Sequence, residues 1–377
     1  MHSGNNKINL MLSIAGLHHG GAERVIASLC RHLNPDRYTI TVCWRVARGR
    51  IGEELREQGF DIVGLPEIEP EVSPYRRFLV LKKLLRTLRV DVIHTHDTGA
   101  LADAAQCRLL GAKAKIVHTF HFGNYPNLKR SHLLMELVFS RFAHRLIAVG
   151  YEQSKKIQHS LRLSESRITT LYNGVECIAS SDCRKTVPGA QDIPHGKVVI
   201  GSISTLTKQK GLFVLLDAAE ILRDNGVQCV ILVAGGGPLQ PDLERVVQER
   251  RLEDMVRFLG WVDKAAEQLL PSLDIFCQSS LWEANSIVLL EAMSAGLPIV
   301  TTDVGESRHV IEEGFSGLVV EPGNPAALAD ALADLVKNAE LRMSMGGRAK
   351  QKFDDQYTVD RMIGNYESVY EALIADS

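Results

Sequence analysis

The amino-acid sequence predicts an α/β protein made of two doubly wound, Rossmann-like parallel-sheet domains that face each other across a central cleft. Strand-like apolar runs alternate with helical patterns along the whole chain, which is typical of parallel sheets with helices on both faces. The chain has 377 residues, 45% of them hydrophobic and 23% charged, and this length suits two domains of roughly 150–200 residues. The stretch 177–196 contains Pro188, Gly189 and Pro194 and interrupts the alternation as a linker would.

The first domain is expected over residues 1–176. Its strands are predicted from short runs rich in Val, Ile and Thr, such as INLMLSIAG and TITVCWRV, and its helices from apolar residues at helical spacing. The predicted strands are 8–16, 39–46, 61–65, 91–96, 115–120, 145–150 and 168–175, and the predicted helices are about 22–33, 52–58 and 75–88.

The second domain is expected over residues 197–358, where the same alternation begins again. The predicted strands are 197–204, 227–236, 256–260, 273–279 and 297–303, and the predicted helices lie near 211–225, 239–251, 264–271 and 286–295. A final amphipathic helix is predicted from Val359 to Ile374.

Composition favours an enzyme of a reducing compartment. The seven cysteines are scattered and form no C-x-x-C pair, so neither a disulfide framework nor a zinc knuckle is indicated, and a cytoplasmic location is expected. No apolar run approaches the ~18 residues that a membrane-spanning helix needs, and no basic segment precedes the first strand as in a secretory signal. We therefore expect a soluble protein, or one attached only to a membrane surface.

The charge is divided unevenly between the halves of the chain. Through Glu176 there are 25 Lys and Arg against 16 Asp and Glu, which gives +9; beyond it there are 18 against 29, which gives −11, and the sum is the net charge of −2. A basic first half predicts an anionic partner, which would be a phosphate-bearing lipid, a membrane surface or nucleic acid. No nucleic-acid recognition motif accompanies the charge.

Glycine-rich and basic loops follow several predicted strands, and ligands of open parallel sheets bind at the carboxyl ends of the strands. Gly20 and Gly21 open a helix, where backbone N–H groups can approach an anion. Lys210 stands just before Gly211 and a helix, where it is placed to neutralise phosphate. The run Gly235–Gly237 ends a strand before Pro238. Each of these loops also has a purely structural interpretation, as a turn or a solvated side chain.

Two glutamates flank the start of the helix predicted at 286–295. Asn285 or Ser286 can cap this helix, whose N-terminus carries unpaired N–H groups and a partial positive charge suited to a phosphate. Glu283 precedes the helix and Glu291 lies in its second turn, so the two carboxylates can accept hydrogen bonds from hydroxyls on either side of that phosphate. A nucleoside diphosphate sugar has this layout. Alternatively, Glu283 only complements the helix dipole and Glu291 lies on a solvated face.

His121 follows a predicted strand of the first domain and is a further candidate. The neighbouring histidines, His94, His96 and His118, are interpreted as strand residues. No compact group of His with carboxylate or Cys has a familiar metal-ligand spacing, so no metal and no cofactor are expected.

Taken together, these motifs resemble glycosyltransferase family 4, the retaining nucleotide-sugar glycosyltransferases of GT-B fold. The resemblance covers nearly the whole chain: GGAERV, DVIHTHD, RLIAVGYEQSKKI, LYNGVE, KG at 210–211, AGGGP, VRFLGWV, and E-x₇-E followed by EAMSAGLPIVTTDVG. It implies a donor site in the second domain, an acceptor site in the first, and a C-terminal helix within 359–377 that packs back on the first domain.

The resemblance also implies roles for individual residues. Glu291 would hold the donor ribose, Glu283 the donor sugar hydroxyls, and Lys210 the leaving diphosphate. Backbone at Val262 would meet the base, and Gly20 and Gly21 would approach the diphosphate. Positions expected around the donor are Gly20, Gly21, Thr205, Gly235, Gly236, Val262, Asn285, Ser286, Ile287 and Glu291, and those expected at the reacting centre are His121, Lys210 and Glu283.

The sequence departs from the family pattern in two places. Thr205 stands where the family commonly has an arginine, so one positive charge on the leaving group is missing unless Lys208 or another residue supplies it. Glu306 and His309 replace a glycine and a glutamate. A non-catalytic nucleotide-sugar-binding protein therefore remains an alternative to a transferase, and a sugar-nucleotide epimerase of the same fold is a third.

The acceptor is expected to be a glycan or a lipid-linked glycan. The segment 74–89 interleaves six cations with leucines at helical spacing, which is typical of a helix lying on an anionic bilayer and equally of a surface helix with its leucines in the core. The segment 125–142 is a second candidate lining for the acceptor site.

Overall fold

The structure is a computed structural model and describes residues 7–18, 20–71, 73–122, 128–178, 193 and 196–375. The chain divides into two compact units, which are Met1–Gly174 with Val359–Ser377, and Val175–Thr358. Of the linker expected at 177–196, only residues 177, 178, 193 and 196 belong to the described part of the chain.

The first unit contains a seven-stranded sheet whose strands pair in parallel in the order β3-β2-β1-β4-β5-β6-β7. The strands are β1 (Ile8–Gly16), β2 (Tyr38–Ala47), β3 (Asp61–Gly64), β4 (Val92–Thr95), β5 (Lys115–Phe120), β6 (Arg145–Ala148) and β7 (Ile168–Thr170). The helices are α1 (Gly21–His32), α2 (Gly49–Glu57), α3 (Leu65–Ile68), α4 (Arg77–Thr87), α5 (Thr98–Leu109), α6 (Arg130–Phe139) and α7 (Tyr151–Leu161), with 3-10 turns at Pro74–Arg76, Ser140–Phe142 and Glu165–Arg167.

The second unit contains a six-stranded parallel sheet in the order β10-β9-β8-β11-β12-β13. The strands are β8 (Val198–Ile203), β9 (Cys229–Ala234), β10 (Val256–Gly260), β11 (Ile275–Gln278), β12 (Ile299–Thr302) and β13 (Gly317–Val320). The helices are α8 (Leu212–Asp224), α9 (Gln240–Glu249), α10 (Ala265–Leu269), α11 (Ile287–Ser294), α12 (Ser307–Val310), α13 (Pro325–Lys337) and α14 (Ala339–Gln356), with 3-10 turns at Lys208–Lys210 and Leu270–Ser272. The last helix, α15 (Val359–Ala375), belongs to the first unit.

The predicted fold class of two parallel-sheet α/β domains is confirmed. In both sheets the strand order reverses: successive strands are first added on one side of the first strand, and later strands are added on its other side. The reversal falls between β1 and β4 in the first unit and between β8 and β11 in the second. Loops that leave the carboxyl ends of the strands on either side of such a reversal border a crevice where ligands bind. The topology therefore directs attention to the loops after β1, β4, β8 and β11.

Several elements were not predicted from the sequence, among them α5, α7, α13, α14 and β13. Helix α5 shows why: Asp97 caps it by accepting from the N–H groups of Gly99 and Ala100, and eight of its twelve residues are buried. A helix buried on most sides has no apolar stripe by which its period can be recognised. Another difference is α2, which begins at Gly49 rather than at the predicted Gly52.

Helix α15 packs on the first unit through two tyrosines that are fully buried. The hydroxyl of Tyr370 lies 2.7 Å from Nδ1 of His94, and Nε2 of His94 lies 2.7 Å from the Thr119 hydroxyl. The Tyr366 hydroxyl lies 3.4 Å from the same Thr119 oxygen. Both imidazole nitrogens are thereby paired in an environment without water, which ties α15 to β4 and β5.

None of the helices in the described part of the chain is long and apolar enough to cross a membrane.

We predict that Tyr370→Phe destabilises the first unit, because it leaves Nδ1 of buried His94 without a partner. An unsatisfied buried polar group costs about 1–3 kcal/mol, so the urea midpoint of the first unit should fall. Tyr75→Phe is the matched control because Tyr75 is 88% exposed. An equal midpoint for both variants would contradict the importance of the His94 contact.

Candidate functional site

The two loops that border the chain reversal of the second unit carry Lys210 and Glu283. Lys210 ends the 3-10 turn that follows β8, and Glu283 lies between β11 and α11. Nζ of Lys210 contacts Oε1 of Glu283 at 2.5 Å, and the two side chains are 21% and 10% exposed. The structure thus brings into direct contact two of the residues expected at the reacting centre.

Glu283 is held by further donors. The Ser280 hydroxyl donates to Oε1 at 2.9 Å and the Gln209 amide donates to Oε2 at 3.2 Å. The Gln209 amide also donates to the carbonyl oxygen of Trp282. Both carboxylate oxygens are therefore occupied, so Glu283 is oriented and weakened as a nucleophile.

The N-terminus of α11 lies at the end of the Glu283 loop. Ser286, one of the two residues expected to cap the helix, is its N-cap residue, but its side chain does not cap the helix: the Ser286 hydroxyl donates to Oε1 of Gln278 at 2.5 Å. Gln278 at the end of β11 thus diverts that hydroxyl from the first-turn N–H groups of α11. The local dipole at this end favours an anion.

Glu291 is buried, with 4% exposure, in the second turn of α11. The alternative in which Glu291 lies on a solvated helix face is therefore wrong. A carboxylate is rarely buried without partners, which is consistent with a side chain held in a defined position. Asn285 lies in the loop before α11, and Ile287, the first residue of the helix, is 8% exposed.

The glycines after β9 divide into two kinds. Gly235 has φ of +138°, and a Cβ there would overlap the carbonyl oxygen of Ser204, while nothing lies within 4 Å of a Cβ built on Gly236. The backbone of the β8 loop therefore requires glycine at 235. Gly236 alone of this pair leaves open space in which a ligand could approach the backbone. Val262, two residues beyond β10, is half-buried beside the half-exposed Trp261.

The two departures from the family pattern lie at the same edge of the sheet. Thr205 and Lys208 are both exposed, one and four residues after Ser204. Glu306 is 1% exposed and its N–H donates to the carbonyl oxygen of Ala284, so it buttresses the loop that carries Glu283. His309 is exposed, and its carbonyl oxygen accepts from Nζ of Lys352.

In the first unit, Gly20 is the N-cap residue of α1 and Gly21 is the first residue of the helix. Gly20 makes no side-chain hydrogen bond that caps the helix. Glu23, three residues after Gly20, reaches back to this helix end: burial raises the pKa of its carboxyl group, and hydrogen bonds from the N–H groups of Gly20 and Glu23 oppose that rise. The spacing is that of a capping box, in which the glutamate satisfies a free N–H group. The protein's own carboxylate is therefore already at the place where Gly20 and Gly21 were expected to meet a diphosphate.

Four histidines form a group at the ends of β4 and β5, of which His94, His96 and His118 are buried and His121 is partly exposed. Nδ1 of His96 lies 2.9 Å from Nε2 of His121, and their rings stack with 5.2 Å between centroids. The ring centroids of His94 and His96 are 4.0 Å apart with the planes tilted by 40°, and Nδ1 of His118 lies 3.0 Å from the Thr95 carbonyl oxygen. His94 and His118 are strand residues as predicted, whereas His96 lies just beyond β4. In the described residues no group of three or more His, Cys, Asp or Glu could hold a metal ion.

Burial keeps these imidazoles neutral. Loss of hydration lowers the pKa of His118 and of His121 to about 3, and it holds the pKa of His94 and of His96 well below the usual value. Neutral His121 accepts or donates one hydrogen bond to His96, which leaves its Nδ1 as the ring atom available to a substrate. His96 itself has a buried Nε2 with no hydrogen-bond partner.

Sequence reasoning missed Gln209, Ser280 and Glu23. The G-x-x-E spacing of Gly20 and Glu23 was a readable capping signal. Gln209 and Ser280 belong to different loops, and nothing in their sequence neighbourhood indicates that both reach Glu283.

The chain matches two family models. Residues 19–177 match the model described as Glycosyltransferase Family 4, and residues 184–352 match the model described as Glycosyl transferases group 1. Relatives include N-acetyl-alpha-D-glucosaminyl L-malate synthase of Bacillus anthracis, 28% identical over 86% of this chain and 93% of that one. Phosphatidyl-myo-inositol mannosyltransferase of Mycobacterium leprae is 30% identical over 74% of each chain.

Solved structures share the fold. The Anabaena protein Alr3699/HepE, crystallised in complex with UDP, superposes with a TM-score of 0.84 at 20% identity, over 97% of this chain and 100% of that one. The two parallel-sheet units thus define a protein of GT-B fold with a polar site at the carboxyl edge of its second sheet. With both family models matched in sequence order, the chain belongs to glycosyltransferase family 4.

We predict opposite outcomes for alanine at the two neighbouring glycines. Gly235→Ala should destabilise the second unit by about 1–3 kcal/mol or more, because both the φ and the Ser204 contact exclude a side chain. Gly236→Ala should leave stability within about 0.5 kcal/mol and weaken binding of a nucleotide sugar. Thermal unfolding and calorimetric titration of each variant measure the two effects, and unaltered nucleotide-sugar binding by Gly236→Ala would remove Gly236 from the site.

We also predict that stability falls as the pH is lowered from 7 to 5. The unfolded chain binds protons at histidine near pH 6.5, while the four histidines of this group do so only far below that value, so the unfolded state gains protons first. Each histidine then contributes a loss of up to about 1.4 kcal/mol per pH unit. Urea unfolding at pH 7, 6 and 5 measures the slope.

His118→Asn provides the control for this slope. An asparagine amide can still donate to the Thr95 carbonyl oxygen but does not titrate, so the slope should decrease by about one proton. A wild-type protein whose stability does not change between pH 7 and pH 5 would show that the cluster is protonated or open in solution.

Proposed function

We propose that this glycosyltransferase moves a hexose or N-acetylhexosamine from a UDP- or GDP-sugar to a glycan or lipid-linked glycan, with retention of anomeric configuration and without a metal ion. The observation that carries the proposal is the arrangement at the carboxyl edge of the second sheet. Lys210, oriented by Glu283, and the start of α11, which the Ser286 side chain does not cap, lie on the two loops that border the chain reversal. Both supply positive charge at the carboxyl edge of the second sheet.

This arrangement suits the departure of a nucleoside diphosphate. When the bond from the anomeric carbon to the diphosphate oxygen breaks, negative charge builds on the diphosphate and positive charge on the sugar. Preorganised donors aimed at the developing charge stabilise that transition state more than the ground state. Lys210 and the N–H groups at the start of α11 fill this role, and in the proposal they replace the metal ion that other phosphate-transfer sites use.

The two glutamates bracket the donor rather than act as an acid and base. Glu283 is bonded to Lys210, Ser280 and Gln209, so it is already an acceptor of hydrogen bonds and is poorly placed to attack carbon. Glu291 is buried inside α11. We assign the donor-sugar hydroxyls to Glu283 and the ribose hydroxyls to Glu291. We assign the close backbone approach to Gly236, with Gly235 shaping the loop, and the base to Val262.

We assign the acceptor to the first unit, with His121 at the reacting centre as a neutral hydrogen-bonding group. The relatives' names support a sugar acceptor of varied chemistry: one names L-malate and another phosphatidyl-myo-inositol. A glycan carried by a lipid at the cytoplasmic face of a membrane fits the basic first half of the chain.

Contact with an anionic membrane is part of this proposal. In α4 the core contacts are made by Val80, Leu81 and Leu85, while Leu79 and Leu88 are 41% and 37% exposed. The helix therefore has both a core face and exposed leucines beside cations, which is the pattern of an interfacial helix. Helix α6 of the second candidate segment also exposes Leu134 and Val138, and residues 123–127 of that region lie outside the described residues.

The second candidate function is a nucleotide-sugar-binding protein without transfer activity, which Thr205 favours. An exposed threonine replaces a cation next to the diphosphate position, and loss of one charge-stabilising donor lowers turnover by about 10²–10³-fold.

Release of nucleoside diphosphate separates the two functions. The protein is incubated in EDTA with a panel of UDP- and GDP-sugars, with and without glycan and polyprenyl-linked glycan acceptors. Release that depends on an acceptor is expected for a transferase, and the anomeric configuration of the product tests retention. Binding of a nucleotide sugar without release of nucleoside diphosphate under any condition would support the binding protein without transfer activity.

We predict that Lys210→Ala lowers turnover by about 10²–10³-fold with a smaller change in donor affinity, because its charge matters most when the diphosphate leaves. Lys337→Ala is the matched control, since Lys337 is an exposed lysine in the last turn of α13 of the same unit. Glu291→Ala should instead weaken nucleotide binding. Kinetics of the Lys210 variant equal to those of the Lys337 variant would refute the placement of the leaving group.

A further inference from the structure

A basic pocket lies at the amino edge of the first sheet, where strands begin. It has a volume of about 310 Å³. The basic pocket is lined by Arg108, Lys115, Arg141, His144, Arg145 and Arg167, with Ala143 and Leu373 completing the wall. Lys115 begins β5 and Arg145 begins β6, while Arg108 lies in the last turn of α5. This is the edge opposite to the carboxyl ends, so the pocket is distinct from the candidate site.

The arginines of the basic pocket are held by main-chain carbonyl groups. Nη1 of Arg108 donates to the carbonyl oxygen of Phe142 at 2.5 Å, and Nη2 of Arg167 donates to that of Ala143 at 3.2 Å. Arg141 donates to the carbonyl oxygen of Leu137. A guanidinium group has five N–H donors, so each arginine is oriented by one bond and keeps further donors for a ligand.

Four of these cations are not paired with a carboxylate in the described part of the chain. Arg108, Arg141 and Arg167 form no ion pair there, and the same holds for Lys115. Like charges gathered in a partly desolvated pocket repel one another. Collecting these four cations is therefore unfavourable until an anion binds.

The imidazole of His144 lies in the same positive electrostatic field and adds a hydrogen-bond donor to the pocket. The N–H of Ile116 donates to Nδ1 of His144 at 2.9 Å, so the neutral ring carries its proton on Nε2. Burial, followed by the charges of Arg108, Lys115, Arg145 and Arg167, lowers the pKa of His144 to about 4. Every charged group that shifts this pKa is a cation.

We propose that the basic pocket binds a phosphate-bearing anion with two or more phosphate groups, through guanidinium forks that are already oriented. A phosphate ester carries about −1.5 to −2 charges at pH 7, so two or three phosphates balance the five formal cations of the lining. Arginine forks match phosphate oxygens in bidentate geometry. The source is either a soluble polyphosphate compound or phosphorylated lipid headgroups, and the chemistry recognised is the same.

Pyrophosphate is the probe that tests this site. It is titrated calorimetrically into the full chain and into Arg141→Gln/Arg167→Gln, and we expect the pocket contribution to weaken by about tenfold or more when two charge-assisted contacts are lost. Lys156→Gln/Arg162→Gln is the matched control: it removes two exposed cations of the first unit that lie outside the pocket, at and just after α7, and should stay within about twofold of wild type. Pyrophosphate bound in the second unit is common to all three proteins and does not alter the comparison.

A second variant tests whether weaker pyrophosphate binding could result from misfolding rather than from loss of the pocket's charges. Arg108→Gln alone, with circular dichroism and thermal unfolding as folding checks, should also weaken pyrophosphate binding. Removing one of the repelling cations should leave the melting temperature of the ligand-free protein equal or higher, while pyrophosphate should raise the melting temperature of wild type more than that of the variant.

Flotation with vesicles that contain phosphatidylinositol bisphosphate, whose headgroup carries two phosphate monoesters, distinguishes the two sources. Loss of flotation in the pocket variant alone assigns the phosphate to lipid headgroups. Pocket-dependent pyrophosphate binding with unchanged flotation assigns it to a soluble compound. A pocket variant that binds pyrophosphate and floats as wild type does would overturn the proposal, as would a wild-type protein that binds neither probe.

Discussion

The contact between the Lys210 ammonium group and the Glu283 carboxylate is the interaction around which the second unit's site is organised. It joins the loop after β8 to the loop after β11, and the backbones of the same loops also touch. The N–H of Leu281 donates to the carbonyl oxygen of Gln209 at 2.7 Å, and a Cβ on Gly211 would overlap the carbonyl oxygen of Ser279. With so many ties, neither charge can move far without separating the loops, so the lysine is oriented before any anion arrives.

An ion pair in such a place has consequences for binding. Breaking a partly buried pair by removing one partner leaves a charge that nothing compensates, so a diphosphate that approaches Lys210 shares it with Glu283 instead of displacing the carboxylate. At the start of α11 the side chain of the N-cap residue does not compete with an anion, because the Ser286 hydroxyl points to Gln278. At α1 the situation is reversed, since Glu23 already interacts with the Gly20 N–H group. Of the two helix N-termini, α1 at Gly20 and α11 at Ser286, the N-terminus of α11 is therefore the better anion site in this conformation.

The sequence predicted the fold and the positions of the candidate loops because both follow from local patterns. Strands such as β1 and β8 are short apolar runs, and parallel topology places their carboxyl ends at one edge. The family resemblance placed Lys210 and Glu283 at one reacting centre, but no local pattern predicted their direct contact, because they are 73 residues apart and the contact depends on the strand order. The buried helix α5 has no periodic apolar stripe from which it could be predicted. The Ser286 hydroxyl does not cap α11 because a residue eight positions earlier, Gln278, accepts its hydrogen bond. Each miss is a tertiary contact that overrides a correct local preference.

The cations of the basic pocket follow a different rule from Lys210, and this difference argues against a purely structural origin. A cation near a helix C-terminus is favoured by the helix dipole, which accounts for Arg108 at the end of α5. It does not account for Lys115, which begins a strand, or for Arg167, which ends a 3-10 turn before β7. Surface cations whose only role is solubility are usually interspersed with acids, whereas the groups that act on His144 are all basic. Carbonyl groups orient these arginines without neutralising them, and a site of that kind is completed by an anion from outside the chain.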